Sequence, residues 1–193
     1  MTIQKGLGAI ADANKGSANY LKLKDGESTV IRFIQDPSEI VSVWEYSIQV
    51  GGKWRNVTAL PKGECPLFAA GKRAGFKSYL IVHDKTDDKV KIFKANKDVG
   101  QQILGLIEEY GDLNGRDFKI LRQGEKINTK YQFFARDKSD FDFEAVAEQI
   151  PNIEEMVAPM TAEAMKAMMN GLDQVTDAPA GGEGAKTGND FPF

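Results

Sequence analysis

From Tyr20 onward the apolar residues recur with period two in short runs, which is the pattern of half-buried β-strands. Ser28 to Ile34 reads as a first strand, stopped by Asp36-Pro37. Val41 to Val50 reads as a second, with Trp44, Tyr46, Ile48 and Val50 on one face. Gly51-Gly52 then supplies a two-residue hairpin turn, and Lys53 to Leu60 returns to end at Pro61. Phe76 to Asp84 and Lys89 to Ala95 make a second hairpin around Lys85-Thr86-Asp87-Asp88. Asp117 to Gln123 and Ile127 to Arg136 make a third about Gly124-Glu125. One segment between the strands has helical spacing instead. Val99, Ile103, Leu106, Ile107 and Tyr110 mark its apolar face, Asp98 is the expected N-cap, and Gly111 closes it.

The flanks read differently. Residues 1–19 are rich in Gly and Ala, with a thin apolar stripe at Ile3, Leu7 and Ile10, and form an expected N-terminal arm that orders on contact. Lys62 to Gly75 is a connector containing the Cys65-Pro66 step. Residues 139–175 form a helical extension, in which Phe141-Asp142-Phe143 leads into a helix to about Ile150 and a Met-rich amphipathic segment follows Pro151. Residues 176–193 are expected to be a disordered acidic tail. Short antiparallel strands with a single inserted helix, spread over residues 20–138, predict a mainly β fold, an antiparallel barrel of the OB type. A β-sandwich is the competing architecture.

Composition narrows the function classes. The chain has 193 residues with a single cysteine, Cys65, and a single histidine, His83, so neither an internal disulfide nor a Cys/His zinc set is available. No apolar stretch approaches the ~20 residues of a membrane span, and Met1 to Gly6 opens no secretory signal, so a cytoplasmic setting is expected. Charge is distributed unevenly. Residues 1–138 carry 23 Lys and Arg against 17 acids, a net of +6, whereas residues 139–193 carry two lysines against 11 acids, a net of −9. A basic body with an acidic end suits a nucleic-acid-binding body with a charged tail, although an acidic solubilising tail gives the same sum.

The strands themselves combine cations with rings. An OB surface holds single strands by tracking phosphates with basic residues while bases stack on aromatic side chains. Trp54-Arg55 follows the first hairpin turn, across from Trp44 and Tyr46, of which one is expected to fill the core. Lys72, Arg73 and Lys77 surround Phe76 and Tyr79. Lys91 and Phe93 share one face, opposite Val90 and Ile92, and Lys94 follows. Because Val90 and Ile92 read as the core face, Phe93 is the better stacking candidate. Lys126, Lys130 and Arg136 flank Tyr131 and Phe133, with Phe134 on the opposite face. Enzymatic readings find less. Asp84, Asp87 and Asp88 read as turn residues rather than a catalytic or metal cluster. Gly52-Lys53 and Gly71-Lys72 lack the spacing of a phosphate loop. Cys65 reads as a small hydrophobe and His83 as a surface or groove residue. No catalytic residue, metal or cofactor is expected.

The end of the chain is the sharpest motif. A Gly-rich stretch terminates in Asn189-Asp190-Phe191-Pro192-Phe193, and two phenylalanines at a disordered tip imply a basic-rimmed pocket elsewhere to receive them. This tip resembles the acidic C-terminal peptide of single-stranded-DNA-binding proteins, though its acidic residues are sparser. The body resembles the helix-destabilising proteins of tailed phages. The similar stretch runs from Glu64-Cys65-Pro66 through Lys89-Val90-Lys91-Ile92-Phe93-Lys94 and the helix at 98–110 to Lys130-Tyr131-Gln132-Phe133. Cys65-Pro66 looks like the remnant of a zinc-binding insertion found in some such relatives, without the other ligands. The resemblance implies sequence-independent coating of single-stranded DNA during phage replication, recombination and repair. It also implies recruitment of a polymerase, primase or helicase through Asp190, Phe191, Pro192 and Phe193, and self-association along DNA through the arm. A single-strand annealing protein, an RNA-binding OB protein and an adaptor without nucleic acid are the alternatives.

Overall fold

The alternating segments pair into one antiparallel sheet in a computed structural model, which describes residues 19–170. Its strands are β1 (Ser28–Phe33), β2 (Val41–Val50), β3 (Lys53–Thr58), β4 (Gly75–Asp84), β5 (Lys89–Asn96), β6 (Arg116–Gln123) and β7 (Lys130–Lys138). The order is β3-β2-β4-β1-β6-β7, and β5 pairs with the other edge of β4. Strand β4 is the hub. Its first half pairs with β2 from Gly75 to Tyr79, its end pairs with β1 from Val82 to Asp84, and β5 runs along its second edge from Lys77 to Asp84.

The mainly β antiparallel architecture is as the period-two pattern predicts. Closure into a barrel is not. Among the described residues no ladder joins β5 to β7, and the outer edge of β5 takes residues 19–21 instead. There the Leu21 N–H donates to Ile92 O at 2.9 Å and the Ile92 N–H to Asn19 O at 2.8 Å. The two strands still meet through side chains, because Phe93 on β5 lies 5.2 Å from the Tyr131 ring and 6.0 Å from the Phe133 ring on β7. The sheet curls until its ends touch, and the seam stays unpaired.

Three clusters fill the interior. Ile31, Phe33, Leu80, Val82, Phe93, Phe118 and Ile120 line the inner sheet face. Helix α2 (Lys97–Tyr110) covers them with Val99 and Ile103, counting α1 as the single turn Pro66–Ala69. The helical periodicity is confirmed and its first residue corrected. Asn96, not Asp98, is the N-cap, its side chain accepting from the Val99 N–H at 3.0 Å, and Asp98 sits in the first turn, where the helix dipole favours an acid. Gly111 ends the helix at φ 73°, in the left-handed region glycine tolerates.

The second cluster lies on the opposite sheet face. Ile34, Ile81, Val90 and Ile92 pack under Val146, Ile153 and Val157 of the C-terminal extension. Here the extension forms a short 3-10 stretch (Glu144–Gln149) and α3 (Ile153–Met156) rather than one helix to Ile150. The third cluster joins Tyr46, Ile48 and Val57 of the first hairpin to Cys65, Leu67 and Met165. Met165 belongs to α4 (Ala162–Asn170), the Met-rich segment the sequence marked. Cys65 is buried among apolar neighbours, as a small hydrophobe should be. Residues 139–170 therefore wrap the sheet and share its core.

Candidate nucleic-acid interface

The first hairpin presents two unlike faces, because strand side chains alternate. Its inner face carries Tyr46 and Ile48 into the third cluster. Its outer face pairs Glu45 with Thr58, Ser47 with Asn56 and Gln49 with Trp54. Ser47 and Asn56 are joined at 2.9 Å, and Trp54 leaves 52% of its surface in water. That face continues across β4 and β5, where Tyr79 stands opposite Lys94 and Lys77 opposite Asn96.

Glu45 ties the two halves of this face together. Its carboxylate is buried, accepts a short hydrogen bond from the Tyr79 hydroxyl, and holds the Lys94 ammonium at 2.5 Å. Lys94 also lies 5.2 Å above the Tyr79 ring, a cation–π contact that fixes its direction. Burial pushes the Tyr79 phenol far above its usual range, and the Glu45 hydrogen bond and charge push it further, so the phenol remains a neutral donor.

At the open seam between β5 and β7 the same face runs into a pocket of about 270 Å³. Lys77 from β4, Lys94 and Asn96 from β5, Val99 from α2, Lys126 and Thr129 from the β6–β7 connection and Tyr131 from β7 line it. The connection is kept tight by Gly124, where an added Cβ would stand 2.3 Å from the Asn128 carbonyl oxygen. Lys126 itself adopts φ 51°, a left-handed conformation uncommon outside glycine.

The structure divides the sequence-selected residues. Trp54, Arg55, Arg73 and Lys130 are exposed, and Lys72, Lys77, Lys94, Tyr131 and Phe133 are half-buried. Trp44 is half-buried and meets Phe76 edge-on at 5.6 Å. Tyr46 and Tyr79 are buried, so neither offers a ring face to a base. Phe93 is corrected as well. It is 2% exposed, because β5 is covered on both faces: α2 and β7 close over Phe93, while the C-terminal extension closes over Val90 and Ile92. Tyr131 and Phe133 turn toward the same cluster. The selected residues are therefore not one groove.

Lys91 is also bound elsewhere. Its ammonium sits 2.8 Å from Asp84 and 2.7 Å from Asp87, at the end of the second hairpin. Burial would lower its pKa, but hydrogen bonds and charge from the two aspartates raise it overall. Asp84 is likewise raised by burial yet lowered overall by Lys91, Thr29 and the Thr86 N–H. These carboxylates hold a turn and a lysine. His83 is corrected from a surface position to 4% exposed, because Phe141 of the extension lies over it at 5.1 Å and Asp88 pairs with its Nε2 at 3.0 Å.

Sequence reasoning missed Asn96 and Thr129 and treated Lys126 only as a neighbour of Tyr131. Nothing local marks Asn96 or Thr129, since their shared pocket forms between segments far apart in the chain. Phe134 was legible but passed over. It alternates with the inward Phe133 and is 49% exposed beside Lys119 on β6.

Among the described residues no helix is long and apolar enough to cross a membrane, and no group of three His, Cys, Asp or Glu is placed to hold a metal ion. Asp190, Phe191, Pro192 and Phe193 lie outside the described residues, as do residues 1–18 of the N-terminal arm. Comparison with protein-family models and with curated proteins returns no match.

Proposed function

We propose that this protein binds single-stranded DNA without sequence preference, coating and protecting it in replication, recombination and repair. The observation that carries this reading is that exposed Trp54 on β3 lies on the same face of the sheet as Lys94 and Lys77, which line the seam pocket. A ring for stacking beside cations for phosphates is the pairing that sequence-tolerant single-strand binding needs. Relative to the sequence expectation, the platform narrows to Trp54 and the lysines of the outer face, with Phe93, Tyr79 and Tyr46 acting as core.

Binding is the whole of the proposed activity. Preference for the single strand draws the duplex equilibrium toward melting without catalysis or a cofactor, in the cytoplasm of a phage-infected cell. The tip Asp190 to Phe193 recruits a polymerase, primase or helicase. Titration of the protein with oligo-dT, following tryptophan fluorescence at several salt concentrations, tests the reading. Quenching with a log-log salt slope of about −0.7 per neutralised phosphate supports it. Absence of salt-sensitive binding overturns it, and equal affinity for oligo-rU transfers the protein to the RNA-binding alternative.

A further inference from the structure

We infer that the outer face of β6 and β7 carries a second contact for a single strand, at which a base stacks on Phe134 while Lys119, Lys130 and Arg136 take phosphates. The inference rests on the single-strand reading and adds to it a site at the far edge of the sheet. Strands β3, with Trp54, and β7, with Phe134, are the two ends of the strand order.

The site follows from strand parity. Along β7, Tyr131, Phe133 and Ala135 turn to the first cluster, whereas Lys130, Gln132, Phe134 and Arg136 alternate with them and are exposed. Across the ladder on β6, Lys119 stands opposite Phe134. Lys119 is exposed between the buried Phe118 and Ile120, so it shares the outer face with that ring. The partners of Gln132 and Lys130 on β6 are Leu121 and Gln123, so no carboxylate stands on this part of the face. Lys85, Lys91 and Lys94 are each held by an acid. Among the described residues, no acid pairs with Lys119, Lys130 or Arg136.

Phe134 is the telling residue. It is 49% exposed and makes no ring contact among the described residues, whereas Phe133 beside it meets Phe33 at 6.5 Å and Phe93 at 6.0 Å. Edge strands usually avoid an exposed apolar side chain, because it invites pairing with another chain. Edge protection accounts for a lysine at 130. It accounts neither for a ring at 134 nor for Lys119, which lies on β6 between β1 and β7.

The make-up of the patch selects the ligand. The core of a protein–protein interface is depleted in charged residues, and lysine is scarce there. Here a single exposed ring is flanked by unpaired cations. Lys130 and Arg136 stand six residues apart, about 20 Å along the strand, with Phe134 between them. A ring face bracketed by cations and free of acids complements a strand that presents bases and phosphates together.

The test is titration of labelled oligo-dT with the full chain, read by fluorescence anisotropy at several salt concentrations. The proteins are the natural one, Phe134→Leu, Phe134→Tyr, Lys119→Gln, Trp54→Ala and Lys166→Gln, each checked by urea unfolding. Leucine keeps apolar surface and removes the ring, tyrosine keeps both, and Lys166 is an exposed control on α4. Phe134→Leu is expected to weaken binding roughly 5- to 150-fold, the span of base–aromatic stacking, and Phe134→Tyr to stay near natural. Lys119→Gln is expected to reduce the salt slope by about 0.7 in magnitude, and Lys166→Gln to leave it unchanged. Natural affinity in Phe134→Leu overturns the inference, and so does a natural salt slope in Lys119→Gln. If Phe134→Leu fails to fold, the Lys119→Gln slope decides alone. If Trp54→Ala weakens binding and the β6–β7 variants do not, the inference falls and the single-strand reading stands. If the β6–β7 variants weaken binding and Trp54→Ala does not, the inference holds and the strand contact moves to β6–β7. If the natural protein binds no oligo-dT, both fall.

Discussion

Arg32 on β1 and Asp117 on β6 stand opposite each other in the sheet, and the Arg32 Nε donates to Asp117 Oδ1 at 2.5 Å with the guanidinium sealed from water. The remaining donors of the fork reach the Asn114 carbonyl at 2.8 Å, the Ser139 carbonyl at 3.0 Å and the Ser139 hydroxyl at 2.5 Å. Phe141 then lies 5.5 Å from the guanidinium. One buried arginine thus pins the start of the C-terminal extension to the outer sheet face. Arg32→Met removes every one of these bonds and leaves Asp117 with Lys85 alone, 2.8 Å away. The expected cost is about 3 kcal/mol, measured by urea unfolding, with faster amide exchange in residues 139–150 than in β6. Unchanged stability would mean the arginine is an ornament of the fold.

Acid should loosen the same region. Burial alone would raise Asp117 and Asp84, but Arg32 and Lys85 hold Asp117, and Lys91, Thr29 and the Thr86 N–H hold Asp84, below the usual 3.8. A lowered carboxylate stabilises the fold fully above its unfolded pKa and loses that contribution as pH falls through the folded value. Lys91 has the opposite sign: its raised pKa stabilises below the unfolded value and is lost as pH rises through the folded one. The Tm is expected to be flat between about pH 5 and about pH 9 on these groups, falling below about pH 4 and above about pH 10. Asp84→Asn should flatten both limbs, because it removes one partner of each kind, and unaltered limbs would refute the assignment.

Two aromatic substitutions separate binding from folding. Trp54→Ala removes an exposed ring and is expected to weaken oligo-dT binding by about 1–3 kcal/mol with Tm unchanged. Phe93→Ala empties a core position and is expected to cost about 3–5 kcal/mol of stability. Binding measured well below the lowered Tm of that variant should stay close to natural. A Phe93→Ala protein that folds normally but fails to bind DNA would restore the ring as a platform.

Removal of Asp190 to Phe193 bears on recruitment. The shortened chain is expected to bind oligo-dT as tightly as the full chain or more so, since the tail is acidic, and to lose its polymerase, primase or helicase partner. Pull-down of replication proteins alongside the titration reads both effects. A large loss of DNA affinity would contradict this division of labour.

Much of the fold was legible because its signals are local. Period-two runs located the strands, Gly51-Gly52 and Lys85 to Asp88 located two hairpin turns, and the spacing of Val99, Ile103 and Ile107 located the helix. Alternation also separated Phe133 from Phe134 correctly, because parity is a property of the strand alone. It was insufficient for Phe93. Parity placed that ring opposite Val90 and Ile92, but only tertiary packing reveals that both faces of β5 are covered.

The candidate site divides in the same way. Residue type and spacing determined where the cations and rings fall along each strand, and the exposure of Trp54 followed from its place beside a tight turn. Tertiary structure decided which of them share a surface. Glu45 drew Lys94 over Tyr79, two aspartates withdrew Lys91, and the unpaired seam brought Lys126 and Thr129 to Lys77 across distances that no local pattern encodes. Strand character is set by neighbours two residues apart, whereas burial and charge pairing are set by whatever segment packs on top. Over Val90, Ile92 and His83 that segment is the C-terminal extension, which Arg32 holds in place through Ser139, and over Phe93 it is α2 with β7.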